Sequence, residues 1–140
     1  MVVIDAQGAV IGRLGARVAK LLLAGTSVEI VNADKAVMVG SLDAAKEKYL
    51  SRRSQKNKRN PDESPHWPRV PNLFLRRMIR GMLPHKSRRG RDAYRLLTVI
   101  GGAPVDGSKL QTIKEASSAS KHRTFMLSEL SEALGYHKVK

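Results

Sequence analysis

The residues with the clearest chemistry in this sequence are cationic, and they are concentrated between positions 76 and 91. This stretch holds seven Lys or Arg side chains in sixteen residues and contains no acidic residue. The guanidinium group of Arg is a planar fork of donors that can bind a phosphate group with two parallel hydrogen bonds. A solvated helix usually mixes Glu with its Lys and Arg, which gives favourable spaced ion pairs. Because no such partners are interspersed here, the stretch predicts binding to an anionic molecule, with a solvated basic face as the alternative.

The hydrophobic residues of the same region recur at helical spacing. At roughly 100° per residue, the residues that share one face are Leu75, Met78, Ile79 and Met82. The arginines between them point the other way. Gly81 is suited to the left-handed conformation that ends a helix, and Pro84 prevents a clean continuation. The sequence therefore predicts a short helix docked by its apolar side, a fixed corner, and a second basic segment.

The formal net charge of +14 is distributed unevenly along the chain. Residues 1–45 are neutral overall, residues 46–95 carry +12, and residues 96–140 carry +2. A protein that binds a membrane surface concentrates its charge opposite Trp, Phe and Leu on one long amphipathic helix. Here the charge is spread over loops and short helices rich in Arg, which favours nucleic acid as the partner.

Length and composition indicate one globular domain. The chain of 140 residues is long enough to bury a core, and its hydrophobic content of 41% and mean hydropathy of -0.33 are typical of globular proteins. No apolar run exceeds four residues, so no membrane-spanning segment is predicted. The N-terminus lacks a signal-peptide pattern. The absence of cysteine excludes disulfides and thiolate metal sites, and it fits an intracellular setting.

The first thirty residues predict a strand, a helix and a second strand. Residues 2–4 and 28–31 are rich in β-branched side chains, as buried strands are. Between them, residues 11–24 carry apolar side chains at helical spacing, and Gly25 is the expected stop. Strand, crossover helix and strand make a βαβ unit, in which the two strands are parallel. The predicted fold class is therefore α/β.

A turn at residues 32–35 is followed by a strand-like segment at residues 36–39. Parallel strands need long crossovers, so this segment is expected to pair in an antiparallel or irregular way. The other predicted elements are helices at 42–52 with Ser41 as N-cap, at 88–97 with Ser87 as N-cap and at 128–134 closed by Gly135, a strand at 98–100, and a loop at 103–120.

Residues 52–72 form the least foldable part of the chain. They contain six basic residues and four of the six prolines, with few residues that build a core. The segment is expected to be mobile alone in water and to become ordered against its partner, with a disordered tether as the alternative. Trp67 lies within it. The indole could stack on a partner, or it could anchor the loop to the body of the protein.

The sequence contains no convincing catalytic or metal-binding pattern. Gly12 and Gly15 match the final spacing of the dinucleotide fingerprint G-x-G-x-x-G, but Val10 replaces its first glycine. Helix–strand packing explains these small residues. The serines at 116–120 have no nucleophile-elbow pattern. The histidines, which lie far apart without metal-ligand spacing, are His66, His85, His122 and His137. We therefore predict no enzymatic activity, no metal and no cofactor.

Structured RNA is the nucleic acid that this composition suits best. Aromatic residues are only 4% of the chain, which argues against a ring platform for unstacked bases. Zinc-finger, basic-zipper and helix-turn-helix signatures are also missing. The mode of recognition that is left is contact with phosphates and riboses together with recognition of shape. Folded RNA offers clustered phosphates and riboses on a defined surface. A DNA-binding protein and a nucleotide-dependent enzyme are the rival hypotheses.

Four segments of the chain resemble the L-thirteen family of large-subunit ribosomal proteins. The segments are 3–6 with Gly8 and 12–14, 30–35 with Gly40, 80–84, and 90–96 with Val99 and Gly101. The most distinctive is Arg-Gly-Met-Leu-Pro at 80–84. The chain lacks the N-terminal extension and the insertion of bacterial members, and it lacks the C-terminal addition of eukaryotic cytosolic ones. It is therefore most similar to an archaeal-type member.

The resemblance implies a three-layer α/β/α fold with a small, mostly parallel sheet of about four strands. It implies a single ribosomal-protein domain over residues 1–140, with a basic RNA-binding loop and helix region at about 46–95. The expected role is that of a structural component of the cytoplasmic large ribosomal subunit, without catalysis or a small-molecule substrate. The expected partners are large-subunit rRNA and neighbouring large-subunit proteins.

The residues expected to contact RNA fall into three groups. The first group, around the predicted corner, is Arg76, Arg77, Arg80, His85, Lys86, Arg88, Arg89 and Arg91. The second group, in the loop, is Arg52, Arg53, Lys56, Lys58 and Arg59. Lys35 and Arg13 complete the set, although a solvated surface position explains each of them nearly as well. For His85 too, an ordinary surface position is the alternative.

Overall fold

The computed structural model describes residues 1–102, 111–112, 116 and 122–137. Its strands are β1 (Val2–Asp5), β2 (Val28–Val31), β3 (Val37–Val39), β4 (Leu97–Val99), β5 (Gln111–Thr112) and β6 (Thr124–Met126). Its α-helices are α1 (Ile11–Leu23), α2 (Leu42–Ser54), α3 (Pro71–Met82), α4 (Arg88–Arg95) and α5 (Leu127–Ala133). Most of the loop predicted at 103–120 lies outside the described residues.

The main sheet has the strand order β4-β2-β1-β5, and its pairings are all parallel. Strands β1 and β2 run in register from Val2 opposite Val28 to Asp5 opposite Val31, joined by α1. Ile4 and Ile30, at the centre of the sheet, are fully buried, as parallel strands covered by helices require. The predicted βαβ unit, the α/β class and the small, mostly parallel sheet are confirmed.

The second sheet is an antiparallel pair of β3 and β6, in which Val37 lies opposite Met126. Residues 37–39 therefore pair in an antiparallel way, as predicted, but their partner is β6 and not β2, so the short connection from β2 does not explain the pairing. A single 3₁₀ turn, Ala33–Lys35, connects β2 to β3. Asn32, the residue before this turn, adopts the left-handed conformation (φ 54). The side chain of Asn32 donates a hydrogen bond of 2.9 Å to Asp5 Oδ1, which ties together the carboxyl ends of β1 and β2.

Helix α3 packs on α1 through its apolar face. Phe74, Leu75 and Ile79 are buried there. Gly15 of α1 lies beneath α3, and a Cβ at that position would stand 2.7 Å from Met82 Sδ and 3.6 Å from Ile79 Cγ1. The small residue at 15 therefore serves helix–helix packing, so the predicted helix–strand role was wrong. The apolar stripe was read correctly as helical, but it did not reveal which element it would meet.

The prediction that Gly81 ends α3 was wrong. Gly81 lies inside the helix, which continues to Met82, and the first extended residue is Leu83 (φ -101, ψ 152). The physical reason is Pro84, because the proline ring clashes with a helical conformation of the residue before it. Helix α4 likewise ends at Arg95, earlier than the predicted Leu97, since Leu97 already pairs with Val28 in the sheet.

Within the described part of the chain, none of the helices has the length and apolar character needed to cross a membrane.

Candidate nucleic-acid interface

The basic corner, residues 83–91, consists of the turn between α3 and α4 and the first residues of α4. Hydrogen bonds to the carbonyl oxygen of Pro84 close this turn. The backbone N–H and the hydroxyl of Ser87 donate hydrogen bonds of 2.9 and 2.8 Å to the carbonyl oxygen of Pro84. Ser87 also accepts a bond of 3.2 Å from the N–H of Gly90, so it is the predicted N-cap of α4. These short-range bonds hold the corner in one conformation before any ligand arrives.

Gly90 lets α4 lie directly against this turn. It is buried, and a Cβ at this position would stand 2.1 Å from the Pro84 carbonyl oxygen and 2.9 Å from the His85 nitrogen. No side chain fits there without a shift of backbone. The polar side chains of the corner lie on its outer surface. Those that are exposed are His85, Lys86, Arg88, Arg89 and Arg91.

Asp92 is the acidic partner that the chain offers to these cations. Its carboxylate lies 3.9 Å from Arg88 Nε and 3.4 Å from Arg95 Nη1, in two exposed pairs within one helix. Exposed pairs of this kind contribute at most about 1 kcal/mol. Among the described residues these are the ion pairs within 4 Å. The positive charge of the corner is therefore left largely uncompensated by the protein.

The arginines of α3 are more enclosed than the sequence suggested. Arg76, Arg77 and Arg80 are half-buried, and they do not all point freely into solvent. The guanidinium carbon of Arg76 lies 4.9 Å from the centre of the Tyr94 ring, a cation–π contact. The Nε atom of Arg76 is buried without a hydrogen-bond partner among the described residues. These arginines are therefore partly enclosed by the protein, and that they contact RNA stays a prediction.

Trp67 anchors the loop between α2 and α3. Its ring centre lies 5.2 Å from that of Tyr49 and 5.9 Å from that of Phe74, and the Tyr49 and Phe74 rings meet edge to face at 4.8 Å. We call these three residues the Trp67 cluster. Burial in it raises the pKa of Tyr49, an effect that the positive charge of Arg52 opposes. Of the two alternatives left by the sequence, loop anchoring is the one that the structure supports.

Arg53 is tied to the same loop. Its Nη1 atom donates a hydrogen bond to the carbonyl oxygen of Trp67. Burial lowers the pKa of Arg53, and the nearby charge of Arg69 lowers it further. Arg69 was not among the predicted contacts, and its position within the basic segment is the one signal in the sequence that could have indicated it. Arg53 therefore supports the loop as well as adding charge to it.

The remaining predicted loop residues, Lys56, Lys58 and Arg59, are exposed. A local network shapes this part of the loop, because Asn57 Oδ1 accepts bonds from the N–H groups of residues 59 and 60, and Ser64 Oγ accepts one from the Asn57 N–H. A cleft of about 360 Å³ lies beside it, lined in part by Lys56, Lys58 and His66. His66 was not among the predicted contacts. Whether the loop is mobile in the free chain stays a prediction.

Arg13 and Lys35 are also exposed. Among the described residues, neither side chain makes a hydrogen bond or an ion pair. The structure groups the other predicted residues into the corner, the half-buried α3 arginines and the loop, but it adds nothing that singles out these two.

The fold and this surface define a small basic α/β protein with exposed cations that few carboxylates among the described residues accompany. Residues 1–106 match the family model described as Ribosomal protein L13. The chain therefore belongs to the ribosomal protein L13 family, and the family predicted from four short segments is confirmed.

Three relatives extend the match over nearly the whole chain, and each is named large ribosomal subunit protein uL13. The protein of Methanococcus maripaludis is 40% identical over 136 residues, which cover 96% of this chain and 98% of the relative. That of Methanocaldococcus jannaschii is 41% identical with the same coverage. That of Archaeoglobus fulgidus is 40% identical over 144 residues, covering 98% of this chain and 89% of the relative. All three are archaeal, in agreement with the predicted archaeal type.

Proposed function

We propose that this protein is a structural constituent of the large ribosomal subunit and that it organises large-subunit rRNA through phosphate contacts. The family and the names of the relatives support the ribosomal role, and they favour a structural role over an enzymatic one. The observation that carries the phosphate contacts is the basic corner. Its exposed cations stand on a rigid turn and have Asp92 as their acidic neighbour among the described residues.

The proposed mechanism is electrostatic stapling. The sheet and its helices form a rigid body, and the basic corner and the loop extend from it within the region at 46–95. Phosphates from several RNA segments would bind to these two surfaces. Because each segment repels the others, holding them on one cationic face offsets that repulsion during assembly. In this proposal residues 1–140 act as a single domain in the cytoplasmic large subunit, with neighbouring large-subunit proteins as further partners.

The test is the salt dependence of binding to folded large-subunit rRNA. If ~8 phosphates are neutralised, the logarithm of the association constant should fall with the logarithm of salt concentration with a slope of about −6. A slope shallower than about −2 would contradict the proposal.

Two further measurements separate the rival functions. Duplex DNA at equal salt should bind more weakly than folded rRNA, and equal affinities would indicate a DNA-binding protein instead. Mononucleotides should leave the melting temperature unchanged, whereas a measurable rise would indicate a nucleotide site.

A further inference from the structure

Two arginines that are far apart in the sequence lie over the same indole ring. The guanidinium carbon of Arg52, near the end of α2, is 5.0 Å from the centre of the Trp67 ring. That of Arg77, in α3, is 4.3 Å from the same centre. Arg52 also lies 5.5 Å from the Tyr49 ring. The fold therefore brings two segments of the basic region together on one aromatic cluster.

This arrangement holds like charges close to one another. Since both guanidinium groups lie within 5.0 Å of one point, they are closer together than the Debye length of roughly 10 Å at 0.1 M salt. Among the described residues, neither has a carboxylate within 4 Å. Burial lowers the pKa of Arg77, and the charges of Arg80 and Arg52 lower it further. The repulsion is offset by cation–π attraction to Trp67, and an anion placed between the arginines would relieve it.

Trp67 is itself held from two sides. Its ring packs against Tyr49 and Phe74, and its carbonyl oxygen accepts the hydrogen bond from Arg53. Two guanidinium groups and two aromatic rings thus lie close around the indole. An indole so surrounded is well placed to fix cations and poorly placed to stack on a nucleobase, which needs a free face.

We propose that Arg52 and Arg77 form one composite phosphate site and that Trp67 is its positioning residue. In this proposal the ring keeps the two guanidinium groups close enough together for both to bind the oxygens of one phosphate or of two adjacent ones. This inference rests on the proposed function, because rRNA is the source of the phosphates. It adds a residue that bears no charge to the RNA-binding surface.

The experiment compares two substitutions of Trp67. Trp67→Leu keeps apolar volume but removes the aromatic faces, whereas Trp67→Phe keeps a ring for both arginines. The probes are folded large-subunit rRNA and inorganic polyphosphate, which has phosphates but no bases. We expect Trp67→Leu to bind both probes roughly fivefold more weakly and Trp67→Phe to recover most of the loss. A structural role alone would affect the melting temperatures of the variants without this parallel loss on both probes.

A double-mutant cycle with Arg77→Gln measures the coupling. If Trp67 positions Arg77, removing the arginine should weaken binding less in the Trp67→Leu background than in the wild type. Trp67 is the single tryptophan of the chain, so its fluorescence reports on this site alone. Polyphosphate should change the emission of the wild type, and the change should be lost in the Arg52→Gln/Arg77→Gln variant. If Trp67→Leu fails to fold, the fluorescence test still decides whether polyphosphate binds at Arg52 and Arg77, and an unchanged emission of the wild type would overturn the composite site.

Three results would overturn the inference. The first is wild-type affinity of folded Trp67→Leu for both probes, and the second is strictly additive losses in the cycle. The third is loss of rRNA binding with unchanged polyphosphate binding, which would mean that Trp67 stacks on a base. Failure of the proposed function is read separately, from wild-type protein that prefers duplex DNA over rRNA. A composite site that still binds polyphosphate would survive that result.

Discussion

At the scale of single residues, the basic corner depends on a position that carries no charge. Gly90 gives α4 its direct contact with the carbonyl of Pro84. Exposed cations flank it on either side, at Arg89 and Arg91. Removing a cation should therefore lower the affinity for RNA, whereas adding a methyl group at Gly90 should lower the stability of the fold.

Gly90→Ala should destabilise the fold. The added Cβ would stand 2.1 Å from a backbone oxygen, and backbone, unlike a flexible side chain, yields only by moving the whole turn. We expect a loss of about 3 kcal/mol in the free energy of unfolding, the upper end of the usual cost of overpacking, measured by urea denaturation. The control is Gly12→Ala in α1, where a Cβ has nothing within 4 Å. That change should raise stability by roughly 0.5–1 kcal/mol. Equal effects of the two substitutions would rule out the close approach described here.

Replacing both Arg88 and Arg89 with Ala should weaken RNA binding and leave the fold intact. Both side chains are exposed, so the free energy of unfolding should change by no more than about 0.5 kcal/mol. The slope of affinity against salt should become shallower by about 1.4, the value for two phosphates. The matched control, Arg88→Lys/Arg89→Lys, keeps the charge and should keep the slope. Unfolding of the alanine variant would mean that these residues support structure instead.

At the scale of elements, the start of α4 is fixed by a side chain and the start of α2 is not. Ser87 and Ser41 both occupy N-cap positions, as predicted. Ser87 accepts a hydrogen bond from Gly90, whereas Ser41 makes no side-chain bond to its helix. Serine at the N-cap position therefore stabilises α4 but not α2 through its side chain. The Ser87 hydroxyl is held between the Pro84 carbonyl oxygen and the Gly90 N–H.

Ser87→Ala should cost about 1 kcal/mol of stability, the usual contribution of an N-cap bond. The variant should also loosen the basic corner, since the hydroxyl bond to Pro84 is lost with the cap. Ser41→Ala is the control and should change the free energy of unfolding by less than about 0.5 kcal/mol. Thermal and urea unfolding of the two variants side by side will decide. A cost at Ser41 as large as that at Ser87 would refute the assignment.

At the scale of the whole molecule, charge and core are separated along the chain. The first 45 residues are neutral overall and supply much of the central sheet, while residues 46–95 carry +12. A chain with net charge +14 repels itself when it is free. The same positive charges attract a polyanion when one is present. Salt should therefore act on stability and on binding with opposite signs.

Raising KCl from about 0.05 to about 0.5 M should raise the melting temperature of the free protein, because screening weakens the self-repulsion. Over the same range the affinity for folded rRNA should fall steeply. Circular dichroism melts and filter binding measure the two quantities. In the Arg88→Ala/Arg89→Ala variant, both the rise in melting temperature and the fall in affinity should be smaller. A melting temperature that falls with salt would contradict the picture of uncompensated charge.

Much of the fold could be read from the sequence because its signals are local. β-Branched runs and the helical stripe of α1 predicted the βαβ unit. The short connection after β2 predicted that β3 would not join the parallel sheet, but it did not reveal β6 as the partner. The errors arose where a residue or strand outside the helix determined where the helix ends. Gly81 stayed helical because Pro84 set the break one residue beyond Met82, and α4 stopped early because Leu97 joined the sheet.

The sequence by itself determined the family, the α/β class, the charge gradient and the identity of the cationic residues, since composition, short motifs and spacing carry that information. Only the tertiary structure decided how those cations are held. It placed Arg52 and Arg77 on one indole, left Arg76 half-buried against Tyr94, and seated α4 on Pro84 through Gly90. These contacts join residues of different segments of the chain. They exist only after packing has brought the elements together, because no periodicity within one segment encodes its neighbour.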